Sequence, residues 1–291
     1  DFFQLPPIGD DDDEDSRAFC FESSRWNEAF PTQIELKTIF RQKDAAYIKA
    51  LNQVRKGKIS RKSFDLLESC IGKDYSKSAI KPTRLYPLRK MVDRINNAHL
   101  RKLEGDVVSC NLQVETIAGK PTDREITAFK NQIPCQEVLD LKVGAQVMCI
   151  VNMDLEGPFP ICNGSCGIVT KFQNSHPVVK FHNGTETIMG PHNWMSHDET
   201  LQISQVPLIL AWALTIHKSQ GATLDMAEID IGSSIFEDGQ SYVALSRVKN
   251  LEGLYIKSID PWKIKANPKV VAYYESLKSL NNPDLPPPPP P

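Results

Sequence analysis

The 291-residue chain has no apolar run near the roughly 18 residues that a membrane-spanning helix requires, so no segment of it reads as such a helix. It has no initiator Met, and Asp1-Phe2-Phe3-Gln4 has neither the basic stretch nor the apolar core of a signal peptide. The start therefore reads as a cut inside a longer protein. There is no internal repeat. The cysteines, Cys20, Cys70, Cys110, Cys135, Cys149, Cys162 and Cys166, are odd in number and irregularly spaced, which argues against a disulfide framework and for free thiols in a reducing compartment. Cys162 and Cys166 lack the two further ligands a zinc site needs, so they read as ordinary thiols near a turn and no metal site is assigned.

What is present is ordinary globular composition, 41% apolar and 24% charged residues, enough for one large or two modest domains. The net charge of −2 conceals an uneven distribution. Asp10 to Asp15 is an unbroken acidic run that reads as a solvated loop. From Leu36 to Gly105, eighteen Lys and Arg face six Asp and Glu. Such a stretch attracts phosphates, or it is the solvated face of surface helices. Pro286 to Pro291 predicts a short polyproline II tail.

Periodicity predicts a short helix near Arg25 to Ala29 and a strand at Ile34 to Leu36. It predicts a helix from Asp44 to Arg55 with Ala45, Ile48 and Leu51 on one face, capped by Asp44 and ended by Gly57. A second helix, Ser60 to Cys70, precedes a strand at Thr83 to Tyr86. A third helix, Leu88 to Leu103, carries Met91, Val92, Ile95 and Ala98 on its apolar stripe. From Val107 to about Leu201, strand-like runs alternate with turn signals such as Asn163-Gly164 and Asn183-Gly184. This predicts a small β-barrel inserted into an α/β domain. The α/β pattern resumes with strands at Pro207 to Ala213, Ala227 to Ile231 and Leu254 to Ile256, and helices at Ile235 to Val248 and Asn267 to Leu280. Buried strands alternating with helices predict a mostly parallel sheet covered on both faces.

Four segments carry groups suited to chemistry. Gln4 in Gln4-Leu5-Pro6-Pro7 can sense a terminal phosphate, or is a polar loop residue. Arg41 in Phe40-Arg41-Gln42 can aim a planar fork at phosphate oxygens, or form a surface salt bridge. In Ala211 to Gly221 an apolar strand runs into a loop rich in donors. Thr215, His217, Lys218 and Ser219 suit backbone phosphates, and Gly221 permits close backbone approach. In Gly239 to Arg247, helical spacing puts Gln240, Ala244 and Arg247 on one face. Arg247 then projects toward a γ-phosphate across a cleft, as an arginine finger does, or satisfies carbonyls at the helix end.

In order, these segments resemble the later motifs of superfamily-1B DNA helicases of the Pif family. Phe2 to Pro7 resembles motif III, Phe40-Arg41-Gln42 motif IV, Thr215 to Gly221 motif V and Tyr242 to Arg247 motif VI. Val92 to Asn96, Val143 to Met148 and Asn163-Gly164-Ser165 are also Pif-like. The similarity runs from Asp1 to about Tyr274. The resemblance implies the C-terminal part, motif III onward, of an ATP- and Mg²⁺-using 5′→3′ helicase built of RecA-like domains. It implies roles in repair, recombination, telomeres or other genome maintenance, in nucleus or mitochondrion if eukaryotic. It implies single-stranded and forked DNA and ATP as partners, and no membrane. It implies that Arg41 and Arg247 act in catalysis, that Gln4, Gln240 and Gly221 serve the nucleotide, and that Thr215, His217, Lys218, Ser219 and Gln220 lie along DNA. The division it implies is residues 1–33 as the tail of the first RecA-like domain, and 34–150 and 206–280 as the second. An inserted barrel occupies 151–205, and 281–291 forms a proline-rich tail. No Gly-x-x-x-x-Gly-Lys-Ser/Thr occurs, so the P-loop and the Mg²⁺ ligands are expected upstream, with little ATPase from this piece alone. The competing readings are a non-hydrolysing DNA-binding module and an interaction protein acting through its proline tail.

Overall fold

The computed structural model describes residues 1–7, 9, 14–36, 38–153 and 160–280. Most of the acidic run, Asp10 to Asp13, and the proline tail lie outside them. The first segment is held by aromatic packing. Phe2 meets Phe19, Phe21, Trp26 and Tyr273 edge-on, and Phe3 stacks on Tyr274 with ring centroids 4.7 Å apart. Arg55 lies over both Phe3 and Tyr274 and pairs with Asp1 and Glu35. Helix α1, Trp26–Ala29, follows. The strand expected at Ile34 to Leu36 does not form: Ile34 is 71% and Leu36 90% exposed, and among the described residues no strand pairs with them.

Helix α2 is Ala45–Arg55, and the Asp44 carboxylate accepts from the backbone N–H of Ala46 and Tyr47. Gly57, with φ +66°, supplies the left-handed residue after its end. Its buried stripe is Tyr47, Ala50, Leu51 and Val54, displaced from the expected Ala45 and Ile48. Helix α3, Arg61–Glu68, starts from Ser60, whose hydroxyl accepts from Ser63 N–H. Strand β1, Thr83–Tyr86, and helix α4, Arg89–Lys102, complete the first half. On α4, Met91 is 40% exposed and Ala98 is exposed. Val92 faces inward as expected, with Ile95 partly buried beside it, and Asn96 takes the place expected of Met91 and Ala98.

An antiparallel block comes next. It holds β2 (Val108–Asn111), β3 (Gln113–Thr116), helix α5 (Asp123–Gln132), β4 (Val138–Leu141), β5 (Gln146–Cys149), β6 (Cys166–Gln173), β7 (His176–Phe181), β8 (Glu186–Ile188), β9 (His192–Met195), β10 (Leu201–Gln205) and β11 (Leu208–Leu210). They form sheets β11-β5-β6-β7-β8, β3-β10-β9 and β2-β4. Leu139, Val147, Val169, Val179, Phe181 and Met189 fill the block's own core. Asn183-Gly184 turns β7 into β8, with Gly184 at φ +91°. The β6–β7 hairpin turns on Asn174 and Ser175, both at positive φ, as a type I′ turn demands. Antiparallel pairing begins at Val108 and ends at Leu210, beyond both limits of 151–205.

The chain then returns through β12 (Ala213–Thr215), α6 (Ile216–Ser219), β13 (Ala227–Ile231), α7 (Gln240–Ser246), β14 (Leu254–Ile259) and α8 (Pro268–Leu280). The parallel sheet is ordered β12-β1-β13-β14. The single strand expected over Pro207 to Ala213 is two: β11 pairs antiparallel with β5 and β12 parallel with β1. The break at Ala211 is held by Thr83 Oγ1 and Gln146 Nε2, which donate to its carbonyl at 3.0 Å each. Alternation along β1 sorts the faces. Leu85 turns to Tyr47, Leu51 and Val54 of α2 and Val243 and Leu245 of α7, while Tyr86 meets Val92 of α4. Asn96 Nδ2 donates to Ala213 O and its Oδ1 accepts from Ala213 N–H, both at 2.9 Å. One amide thus satisfies the free edge of β12. The helix expected from Ile235 starts only at Gln240, because Gly239 at φ +80° interrupts helical dihedrals.

Candidate functional site

The loop leaving β12 folds at once into α6, and this decides which of its donors face outward. Thr215 caps the helix, its hydroxyl accepting from Lys218 N–H at 3.1 Å. Ser219 is fully buried and donates to Ile216 O at 2.8 Å. Both hydroxyls are thus engaged internally. Lys218 and Gln220 are exposed and His217 half-buried, with His217 Nε2 3.6 Å from Glu237 Oε2. Surrounding protein, and then Arg89, hold the Lys218 amine below the ordinary lysine range. Gly221 has φ +85° and open space beside it. The positive φ is what calls for glycine there, and it leaves the backbone accessible.

Arg41 and Arg247 converge at the other end of this loop. Arg41 Nε donates to Thr223 Oγ1 at 3.0 Å and Nη1 to Ser246 O at 3.2 Å. Beside it, buried Gln42 donates to Ser246 O and Val248 O at 3.1 and 3.0 Å, which anchors the segment to the end of α7. Arg247 does not project into a cleft. It is 2% exposed and folds back: Nε donates to Val243 O at 2.9 Å, Nη2 to Ser246 Oγ at 2.8 Å and Nη1 to Ala222 O at 3.4 Å. The carbonyl-satisfying role is the one this conformation adopts, because a buried guanidinium must find acceptors. Burial, and then Arg41, bring its pKa down to about 10, so it remains a cation at neutral pH. Burial lowers Arg41 as well. The half-buried Tyr242 phenol lies in the field of Arg55, Arg247 and Arg41, and its hydroxyl donates to Asp1 Oδ2 at 3.1 Å.

Gln4 and Gln240 mark the opposite end of α7. A Cβ on Gly239 would stand 2.3 Å from Gln4 O, so the first segment crosses the helix start. Gln240 is fully buried. Its Oε1 accepts from Phe236 and Glu237 N–H, and its Nε2 has no hydrogen-bond partner among the described residues. The seven residues of α7 separate this end from the arginines by roughly 10 Å. Sequence reading gave no role to Gln42, Thr223 or Ser246. Thr223 lies 182 positions from Arg41, and no local pattern pairs them.

The site offers guanidinium, amide and ammonium donors and fits the oxygens of an anion. Among the described residues no group of three or more His, Cys, Asp or Glu could hold a metal ion, and the donor set does not fit a divalent cation. All seven cysteines are free. No described helix is long and apolar enough to cross a membrane.

Comparison with known proteins gives a consistent result. Residues 127–172 match the family model "DNA helicase Pif1, 2B domain", which spans β4, β5 and most of β6. The ATP-dependent DNA helicase PIF1 of Homo sapiens is 34% identical over 295 residues, covering 98% of this chain and 44% of that protein. The chain thus spans under half the length of this curated relative. A crystal structure of Pif1 helicase from Candida albicans superposes with TM-score 0.71 at 35% identity, over 95% of this chain and 67% of that one. A Bacteroides Pif1 helicase crystallised with ADP-AlF3 and ssDNA gives TM-score 0.62 at 28% identity, over 97% and 66%.

Proposed function

Since this chain belongs to the Pif1 helicase family, we propose that it is the C-terminal motor part of an ATP-dependent 5′→3′ DNA helicase acting in genome maintenance. The parallel sheet and its helices form the second RecA-like domain, and residues 1–33 the tail of the first. The antiparallel block from Val108 to Leu210 is the inserted unit. The partners are ATP and single-stranded or forked DNA. Free thiols suit a reducing compartment, nucleus or mitochondrion if the source is eukaryotic. The single observation that carries this reading is the meeting of Arg41 and Arg247 on Ser246, immediately behind the loop Thr215 to Gly221.

Arg41 and Arg247 face the γ-phosphate when the P-loop domain closes on this one. They neutralise charge that builds in the transition state. To do so each gives up acceptors it now holds, Thr223 and Ser246 for Arg41, and Ala222 and Val243 for Arg247. Hydrolysis is therefore coupled to domain motion. Lys218, Gln220 and the open backbone at Gly221 lie along the strand with His217, and Thr215 and Ser219 fix the loop's shape. The grip is phosphate-based, indifferent to sequence and salt-sensitive. Gln4 and Gln240 serve the nucleotide from the other end of α7. ATP arrives with Mg²⁺, and we assign no Mg²⁺ ligand to this chain. The P-loop lies outside it.

Arg247→Lys in the complete protein tests the reading. The positive charge at this position is kept, and the planar fork is lost. ATP turnover on oligothymidylate should fall by about 10³-fold or more, with the strand's Kd within threefold of wild type. Undiminished turnover would remove Arg247 from this role. A complete wild-type protein that binds DNA without hydrolysing ATP would establish the binding-module reading instead.

A further inference from the structure

The hydroxyl of Thr223 stands where three parts of the molecule meet. Its Oγ1 accepts from Arg41 Nε at 3.0 Å. Its N–H donates to Asn163 O, and its backbone abuts Gly164 so closely that a Cβ there would lie 2.5 Å from Thr223 O. The Asn163-Gly164 turn of the antiparallel block therefore braces Thr223 from behind. Two residues upstream is Gly221, at positive φ with open space beside it. The neighbours of Thr223 are tied to the second arginine: Ala222 O accepts from the guanidinium at Arg247 Nη1, and Leu224 N–H donates to the Arg247 main-chain carbonyl. The strand loop thus ends in a staple, residues 222–224, that both arginines hold.

We propose that Thr223 is the positioning residue that couples nucleotide occupancy to the strand loop. This rests on the reading of Arg41 as a phosphate-facing group. With no triphosphate bound, the Thr223 hydroxyl keeps the Arg41 guanidinium turned toward the protein. The Asn163-Gly164 turn prevents Thr223 from following when Arg41 swings to phosphate, so the hydrogen bond must break. The staple then loses its Thr223 tie to Arg41 along with the Ala222 tie to Arg247, keeps only the backbone bond from Leu224 N–H to Arg247 O, and the loop gains freedom about Gly221. Conversely, strand binding that shifts the loop weakens the hold on Arg41 and favours its catalytic position. Strand and triphosphate promote each other through one side-chain hydrogen bond, as linkage requires of coupled sites.

The test compares Thr223→Val and Thr223→Ser in the complete protein, with ATP and an oligothymidylate as probes. Valine matches the shape and removes the acceptor; serine keeps the hydroxyl. Thr223→Val should raise strand-independent ATP turnover several-fold and cut the stimulation by oligothymidylate about fivefold or more, with the strand's Kd changed less than twofold. Thr223→Ser should retain the wild-type ratio. A lowered Tm for the valine variant would move the comparison to Thr223→Ala, for which the same ratios are expected. A stimulation ratio for Thr223→Val within twofold of wild type overturns the proposal, and so does a serine variant that behaves like valine. In either case wild-type turnover and its loss in Arg247→Lys would leave the helicase reading intact. Absence of strand-stimulated turnover in wild type would sink both.

Discussion

At the residue scale the unusual feature is a pair of guanidiniums stored inside the protein. Arg247 is 2% exposed, and an unpaired cation at that depth would cost several kcal/mol. The backbone carbonyls and the Ser246 hydroxyl offset that cost. The motif containing Arg247 was legible in the sequence, and so was the alternative that it satisfies carbonyls at the helix end, because Val243 O lies four residues back on α7; the bond to Ala222, 25 positions away, was not. The cysteines show the same dependence on surroundings. Burial pushes the Cys166 thiol up to about 12, which leaves only ~10⁻⁴ of it as thiolate at pH 8. Cys20 is exposed. Brief alkylation of the native protein at pH 8, followed by peptide mass spectrometry, should label Cys20 and leave Cys166 unmodified; prompt labelling of Cys166 would contradict its burial. The sign for stability follows. Between the ordinary value of 9.0 and about 12 only the unfolded thiol ionises, so this group's contribution falls as pH rises through that window.

At the element scale, caps and turns were read well and buried faces were not. Asp44, Ser60 and Gly57 act locally, within a few bonds of the backbone they satisfy, so their roles were visible in order along the chain. For Asp44→Ala, loss of the bonds to Ala46 and Tyr47 N–H should cost about 1 kcal/mol. Urea unfolding measures it, and an unchanged midpoint would mean that the cap contributes nothing. The choice of face on α2 and α4 was read only in part, correctly for Leu51, Val92 and Ile95, because it depends on partners. Tyr47 turns inward to donate its hydroxyl to Leu245 O at 2.7 Å, and Asn96 turns inward to satisfy the edge of β12. Polar groups with distant partners displaced the apolar stripe that periodicity selected. The apolar run from Pro207 to Ala213 hid a second ambiguity: hydrophobicity reports burial without saying in which core. The structure divides this run between two sheets at Ala211.

At the scale of the whole molecule, one contact set ties the first segment to the rest. Arg55 lies between Phe3 and Tyr274, 4.4 and 4.9 Å from their ring centroids, and binds Asp1 and Glu35. Cation–π and ion-pair contributions of this kind sum to about 2 kcal/mol. Arg55→Ala should lower stability by about that amount and speed amide exchange in residues 14–30, measured by mass spectrometry. Unchanged exchange there would show that the aromatic cluster holds the segment unaided. This docking carries Gln4 to the start of α7. The sequence by itself determined the order of the strands and helices of the parallel sheet, the α/β class with an antiparallel insertion, and the motifs that mark the family, since each rests on local spacing and backbone preference; it missed α5 and placed a strand at Ile34 to Leu36 that does not form. Tertiary structure alone decided which donors of the strand loop face outward, where the insertion begins and ends, and that Arg41 is held by Thr223. Those outcomes depend on hydrogen-bond partners and cores assembled from residues far apart in the chain, and a buried charge settles only where such partners converge.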